Sequence, residues 1–519
     1  MPLRVPLVAA GIFLSRVLGL VRETLKARYL GASGSIVADA FTAAFRIPNL
    51  LQNLFGEGAL SASFIPVYAN LLARGDRKEA DRVAGAVGTL LALVTAVLVL
   101  LGIGSAPLLV DIIARGFEGE RRELTIRLIR ILFPGAALFV YSAWCLGILN
   151  SHRRFFLAYA APVAWNGAMI AALLAFRGQS PDVLVIRLAW ASVIGAGLQT
   201  LVQLPAVLSV ANAMRVGLAS SDTNVRQVLR NFVPAFFGRG VVQVNAYVDQ
   251  LISSFLPVGS MSLLFYAQTI SLLPISLFGM AISAAELPEM SSATGDAAAT
   301  TKHVRDRLQD GLRRMAFFVV PSAVAFLLLG DVIASAIYQH GRFTGQDTRY
   351  VWGILAAAGV GLMASATGRL YSSAFYALRD TRTPLQFAVV RVTLAAGGGW
   401  IFAMRLPDWL GLAPEWGTAA LTLSSALAGW VEFVLLRRKL GVALGRTGLE
   451  ARRVVTLWAA ALASGGIALA IKGSMVGNPQ MVGAVVIIGA FGMSYFALTA
   501  AFGVETAVAT LKRLRRIAP

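Results

Sequence analysis

Residues 83–113 read VAGAVGTLLALVTAVLVLLGIGSAPLLVDII and carry a single charged side chain, Asp111. A membrane-spanning helix needs about 20 mostly apolar residues, because lipid offers its backbone no hydrogen-bond partner. This run is long enough to cross a bilayer. The same pattern recurs along the chain and predicts fourteen apolar runs, near residues 7–21, 36–56, 83–113, 124–149, 157–176, 184–210, 228–256, 261–285, 312–337, 350–378, 385–404, 416–436, 455–471 and 481–503.

The composition excludes a soluble domain, since 57% of the 519 residues are hydrophobic and 14% are charged. The net charge of +20 does not indicate nucleic-acid binding, because the basic residues lie in short clusters between apolar runs. Fourteen spans place both termini on one side, together with the richest clusters, which the positive-inside rule makes cytoplasmic. Those clusters lie at 74–82, 153–154, 215–226, 302–314, 379–382, 437–453 and 512–516. The first run lacks a small-residue cleavage site, so we expect it to remain as the first span.

An internal repeat of roughly 225 to 230 residues is typical of transporters. Residues 141–153 (YSAWCLGILNSHR) resemble 371–383, 13–16 (FLSR) resemble 236–239, and 54–56 (LFG) resemble 277–279. We therefore predict an all-α polytopic membrane protein with about fourteen transmembrane helices, in two pseudo-symmetric six-helix lobes plus two helices. The predicted domains are 1–220 (helices 1–6), 221–445 (helices 7–12) and 446–519 (helices 13–14 and a basic cytoplasmic tail).

Charged residues within the apolar runs are the main functional signal. A charge at the centre of a spanning helix costs about 2.5 to 3.5 kcal/mol, so it needs a partner or water. The acids are too few to neutralise the arginines, which predicts a basic, water-filled cavity, and guanidinium groups suit phosphate. Interhelical ion pairs and snorkelling side chains remain alternatives, and Arg22, Lys26 and Arg28 are expected at the interface. The charges in question are Arg16, Arg46, Arg239, Arg369, Arg391, Asp39, Asp249 and Glu57.

Catalytic motifs are missing from the sequence. It has no GxxxxGK[ST] phosphate loop, and its three histidines, His152, His303 and His340, lack metal-ligand spacing, so we expect solvated loop residues. The one cysteine, Cys145, is expected to be a packing residue. These features favour a transporter over an enzyme, with no metal and no cofactor.

Several motifs resemble the MurJ (MviN) family of lipid II flippases. Four lie near the amino terminus and one follows the tenth predicted helix. They are 15–23 (SRVLGLVRE), 38–41 (ADAF), 46–51 (RIPNLL), 55–66 (FGEGALSASFIP) and 375–384 (FYALRDTRTP).

The resemblance implies an alternating-access exporter of the multidrug/oligosaccharidyl-lipid/polysaccharide (MOP) superfamily. Its substrate would be undecaprenyl-diphosphate-linked peptidoglycan precursor, lipid II, moved to the outer leaflet of the bacterial cytoplasmic (inner) membrane for cell-wall synthesis. Membrane lipids and peptidoglycan-synthesis enzymes are the other candidate partners. Family cavity residues correspond to Arg16, Arg22, Asp39 and Glu57. The two extra helices would form a groove for the lipid tail.

The chain departs from the family pattern at two expected diphosphate ligands. Gln52 and Thr269 stand where the family usually has basic residues, and we hypothesise that Arg46 and Arg239 substitute for them. Asp249 matches the family's sodium site and is the ion-coupling candidate, whereas Arg391 stands where an acid or Asn is expected. Coupling to the membrane potential or to a monovalent cation is therefore left open.

Three other functions remain open at this stage. A flippase for another polyprenyl-linked oligosaccharide would need the same basic cavity. A drug or cation antiporter of the same superfamily would need an acidic one, which the arginine excess disfavours. A non-transporting scaffold for wall-synthesis enzymes would be consistent with the two missing basic ligands.

Overall fold

The computed structural model describes residues 4–217, 222–292, 297–475 and 481–509, and these ranges are helical and contain no strand. Fourteen helical stretches separated by loops coincide with the fourteen apolar runs, so the predicted fold class is confirmed. They are α1 Arg4–Leu30; α2 Ile36–Leu51, Gln52–Leu60 and Ser61–Ala73; α3 Arg77–Gly104 and Ala106–Ile113; α4 Gly119–Ser151; α5 Phe155–Ala160 and Pro162–Ala175; α6 Pro181–Val210; α7 Thr223–Ser254; α8 Ser260–Pro274, Ile275–Met280 and Ala281–Ser291; α9 Ala297–Tyr338; α10 Gly345–Ala377; α11 Arg382–Trp409; α12 Gly417–Leu444; α13 Ala451–Ser474; and α14 Met481–Ala501.

Polar character is concentrated in three of these helices. Within the described ranges, 11 helices are long and apolar enough to cross a membrane, and α1, α2 and α7 are not among them. Those three helices carry most of the charges predicted for the spans, including Asp39, Arg46 and Asp249. Because charged side chains are expensive in lipid, such helices belong inside a protein or beside water. They are the first place to look for a functional site.

The chain divides into two compact units. The first comprises Met1–Ser262 with Gly341–Phe343, and the second comprises Leu263–His340 with Thr344–Pro519. The predicted lobe boundaries at 220 and 445 follow the sequence repeat rather than compactness, and they stay predictions. In the second unit, α13 and α14 pack on α9 through a buried apolar cluster that includes Phe317, Leu457 and Phe491. Lys472 of α13 also pairs with Asp331 of α9.

Two local features occur once in each unit at the sequence repeat. Gln52–Leu60 in α2 and Ile275–Met280 in α8 are π-helical, and they contain the matching LFG triplets. Arg153 and Arg379 follow α4 and α10 with positive φ values of 58° and 63°. These features give the sequence repeat a structural counterpart within each unit.

Glycines allow two loops of the first unit to approach closely. Gly259, at φ +98°, lies in the loop before α8, and a Cβ there would be 2.3 Å from the Ala32 carbonyl oxygen and 2.4 Å from Ser33 Cα. The Gly34 N–H donates to the Val258 carbonyl at 2.8 Å. A side chain at position 259 would therefore separate the α1–α2 loop from the α7–α8 loop.

Candidate anion-binding site

Among the predicted basic ligands whose side chains are described, Arg22 of α1 makes the most hydrogen bonds. Its Nη1 donates to Asn166 Oδ1 at 2.9 Å, and its Nη2 donates to Glu23 Oε1 at 2.7 Å. The guanidinium lies 4.2 Å from the centroid of the Trp165 ring. Asn166 is itself fixed, because its Nδ2 donates to the carbonyls of Ser15 and Pro162. Two helices thus hold one guanidinium in a defined orientation.

Among the described residues, the Arg22 cluster, which we define as Arg22, Glu23, Lys26, Trp165 and Asn166, contains two basic side chains and one carboxylate. Lys26 Nζ lies 2.5 Å from Glu23 Oε2, so two cations share one carboxylate. The Arg22, Glu23 and Lys26 side chains are 13%, 7% and 5% exposed. Glu23 therefore offsets the desolvation of Arg22 and Lys26 inside the unit. Arg28 is exposed, and the interfacial position of all three residues stays a prediction.

Asp39 lies at the centre of a second polar network in the first unit. Its carboxylate is fully buried and accepts from Arg121 Nη2 at 2.6 Å, Gly259 N at 2.7 Å, and Ser262 N and Oγ at 2.9 and 2.8 Å. Four donors occupy the two oxygens. This geometry matches the interhelical ion pair that the sequence left open, and it supports a structural role. Substrate contact by Asp39 stays a prediction.

Arg46 and Asp249 lie on α2 and α7 of the first unit. Arg46 Nη2 donates to the Ala246 carbonyl at 3.4 Å, and the guanidinium lies 5.6 Å from the centroid of the Tyr247 ring. Arg46 also interacts electrostatically with Asp249, which is 8% exposed. These contacts connect the hypothesised substitute ligand to the ion-coupling candidate, and both roles stay predictions.

The remaining predicted ligands are more scattered. Arg16 is exposed on α1 and makes no hydrogen bond or ion pair with the described residues. Gln52 is half-buried at the start of the π-helical segment of α2. Thr269, in the second unit, donates its hydroxyl to Phe265 of its own helix at 2.9 Å. The side chains of Glu57 and Arg239 lie outside the described residues.

Cys145 and His152 both pack against other side chains of the first unit. Cys145 is fully buried in an apolar cluster of the first unit. His152 lies in the loop after α4, as predicted, but it is half-buried beside the Tyr68 hydroxyl at 2.9 Å, and burial lowers its pKa. The predicted loop position is wrong for His303, which lies within α9. Among the described residues, no group of three or more His, Cys, Asp or Glu side chains can hold a metal ion.

A family model described as lipid II flippase MurJ matches residues 26–491 of the chain. The lipid II flippase MurJ of Burkholderia cenocepacia is 34% identical over 430 residues, which cover 82% of this chain and 80% of that protein. The probable lipid II flippase MurJ of Rhizobium tropici is 32% identical over 81% of this chain and 77% of that protein. The chain belongs to the MurJ family.

Two solved structures share the fold of this chain. A lipid II flippase MurJ in an inward closed conformation matches with a TM-score of 0.77 at 24% identity, covering 96% of this chain and 99% of that one. An inward-facing multidrug resistance MATE transporter of the MOP superfamily matches with a TM-score of 0.67 at 17% identity, covering 84% and 96%. The family model and the relatives confirm the predicted family, and these two structures show that the chain shares its fold with them.

The MurJ-like motif after α10 has a structural explanation. Asp380 Oδ1 accepts from the backbone N–H groups of Arg382 and Thr383 at 3.0 Å, and its Oδ2 accepts from the Thr383 hydroxyl at 2.6 Å. These bonds satisfy donors at the start of α11 that have no partner within the helix. The bonds from Thr383 hold the pKa of the Asp380 carboxyl below its ordinary value.

Replacing Asp380 with alanine is expected to lower stability by about 1 kcal/mol, the usual effect of losing a capping side chain. Asp380→Asn, which keeps the acceptor oxygen, is the control and should retain most of that stability. The melting temperature of purified protein in detergent measures both. Because the pKa is lowered in the folded state, the Asp380 contribution should be present at neutral pH and disappear as the pH falls through that lowered pKa. Equal melting temperatures for wild type and Asp380→Ala would contradict the capping role.

Sequence reasoning missed several residues that organise this site. Asn166 and Trp165 lie inside the fifth apolar run, where a buried amide was a usable signal. Arg121 lies just before the fourth run, so it looked like a loop residue. Glu23 was read as part of a motif, although its spacing from Lys26 places both on one helix face.

Proposed function

We propose that this chain is a lipid II flippase that moves undecaprenyl-diphosphate-linked peptidoglycan precursor from the cytoplasmic to the outer leaflet. The observation that carries the proposal is the buried, positively charged Arg22 cluster in a chain of the MurJ family. A diphosphate carries about two negative charges, and a guanidinium can donate two parallel hydrogen bonds to it. Phosphate would compete with Glu23 for the donors of Arg22.

The mechanism we infer is alternating access without covalent chemistry, so the chain acts as a transporter and not as an enzyme. The basic residues hold the diphosphate, the sugar crosses in water, and the polyprenyl tail stays in lipid. Each charge moved through the membrane potential is worth about 2.3 kcal/mol per 100 mV, so the potential or a monovalent cation would drive one step of the cycle. The protein would lie in the bacterial cytoplasmic membrane with both termini in the cytoplasm, near peptidoglycan-synthesis enzymes.

Removing the charge of Arg22 tests the proposal. In cells depleted of their own flippase, Arg22→Gln and Arg16→Gln are expected to reduce the precursor that reaches the outer leaflet at least tenfold, because the diphosphate loses charged donors. A leaflet-accessibility assay measures this, alongside the amount of protein in the membrane. Arg28→Gln, an exposed arginine on the same helix, is the matched control and should remain active.

The same experiment separates the proposal from the scaffold alternative. A scaffold would tolerate the loss of both charges, since its function would depend only on being present. If Arg16→Gln and Arg22→Gln preserve both protein level and cell growth, the diphosphate role is rejected. A normal protein level with no precursor export would support it.

A further inference from the structure

A second group of charged residues lies in the spanning helices of the second unit. We define the Arg369 cluster as Arg369 of α10, Arg391 of α11 and Glu432 of α12. Helix α12 packs along both α10 and α11, which brings the three side chains together. Arg391 Nη1 lies 3.1 Å from Glu432 Oε2, with the two side chains 31% and 14% exposed. Arg369 interacts electrostatically with both Arg391 and Glu432.

The Arg369 cluster has more donors than acceptors. Arg391 Nε is buried and has no hydrogen-bond partner in the described part of the chain. Arg369 is exposed and forms no hydrogen bond or ion pair with any described residue. Among the described residues, Arg391 alone pairs with Glu432, so the three side chains together carry a net charge of +1 and the Arg369 guanidinium has no bonded acceptor. An anion would supply that acceptor.

The depth of the Arg369 cluster matches that of a lipid phosphate. Arg369 lies eight residues before the end of α10 at Ala377, or about 12 Å at 1.5 Å per residue. Arg391 lies nine residues after α11 begins at Arg382, about 14 Å from the same side. Helix α10 has 33 residues and is about 50 Å long, some 20 Å more than a hydrocarbon core. Shared equally between the two ends of α10, that excess would place Arg369 near the hydrocarbon boundary, on the side predicted to be cytoplasmic.

The surroundings favour a phosphate attached to an apolar chain over a free anion. Leu394 lies three residues after Arg391, on the same face of α11, and is 45% exposed. Tyr376 on α10 is 46% exposed and interacts electrostatically with Glu432. Basic pockets between helices on the cytoplasmic side bind anionic lipid headgroups in other membrane proteins.

We propose that the Arg369 cluster binds the phosphate group of a membrane lipid. Arg369 and Arg391 donate to the phosphate, and Glu432 holds Arg391 in place when the site is empty. Two lipids carry this chemistry, an anionic phospholipid and the polyprenyl diphosphate of the proposed substrate. The second case rests on the proposed function, and the first does not.

Binding of two lipids to purified full-length protein in detergent tests the proposal. The probes are phosphatidylglycerol and undecaprenyl diphosphate, each compared with its uncharged counterpart, diacylglycerol or undecaprenol. All variants carry Arg22→Gln, so that the Arg22 cluster does not mask the result. Adding Arg369→Gln and Arg391→Gln is expected to weaken binding of at least one phosphate probe tenfold or more. Adding Glu432→Gln should strengthen it several-fold, because Arg391 loses its competing acceptor.

The controls keep the outcome independent of folding and of export. Arg405→Gln removes an exposed arginine from the far end of α11 and should leave binding unchanged. Arg369→Gln alone breaks no bond within the described chain, so it should fold and still weaken binding. Loss of phosphatidylglycerol binding alone assigns the site to a phospholipid, and loss of diphosphate binding alone assigns it to the transported lipid. Unchanged binding of both probes in the Arg369→Gln and double variants would overturn the proposal, whatever the export assay shows.

Discussion

Replacing Asp39 with alanine is expected to lower the free energy of unfolding by roughly 3–5 kcal/mol, because it leaves a buried charge without its partner. The Arg121 side chain is 8% exposed and would keep only its contact with the Phe117 ring, whose centroid lies 3.6 Å away. The N–H groups of Gly259 and Ser262 would also lose their acceptor. The melting temperature of the purified protein in detergent measures the loss.

A double variant separates the charge effect from simple loss of packing. Asp39→Ala combined with Arg121→Leu removes both charges, so part of the lost stability should return. Asp39→Asn keeps an acceptor oxygen and should be less harmful than Asp39→Ala. A wild-type melting temperature for Asp39→Ala would show that the Asp39 network does not stabilise the first unit.

Replacing Gly259 with alanine is the second change with a large expected effect, roughly 2–5 kcal/mol of lost stability. Two causes add, since the new Cβ would overlap Ala32 and Ser33 and the positive φ disfavours a side chain. Gly34→Ala is the matched control, because Gly34 also has a positive φ, +69°, but has no atom within 4 Å of its Cβ position. It should cost only about 1–2 kcal/mol.

The difference between the two glycine variants measures the close approach of the loops. Both residues lie in the same junction of the first unit, so detergent and expression affect them alike. Melting temperatures that fall equally in the two variants would contradict the steric part of the argument. A larger fall for Gly259→Ala would support it.

The helices could be predicted from the sequence because their signal is long and local. Twelve of the fourteen apolar runs have 20 or more residues, enough to cross a bilayer, and leave few alternatives to spanning helices. Even the repeat was readable, since the LFG triplets at 54–56 and 277–279 fall in the two π-helical segments. The sequence did not reveal that these segments are π-helical, because no local propensity distinguishes them from ordinary helix.

The partners of the charged residues could not be predicted, since they depend on contacts between distant segments. Asp39 meets Arg121 across 82 positions, and Arg22 meets Asn166 across 144. Both acids and amides occur often enough that no pairing follows from spacing alone. The excess of arginines over acidic residues was a better guide, because a buried charge needs a compensating charge whichever residues are in contact. It pointed to Arg391, whereas Arg22 was indicated by the resemblance of its motif, and the structure places each beside a carboxylate.

The two π-helical segments indicate where each half of the chain bends most easily. A π turn widens the helix and weakens its regular hydrogen bonding, and Pro48 and Pro274 each remove a further donor nearby. Each second helix thus has a soft point near its middle, flanked by stiffer segments. If the two halves arose by duplication of one ancestral half, each inherited the same π-helical segment. Each half of the present chain would then bend at the equivalent position.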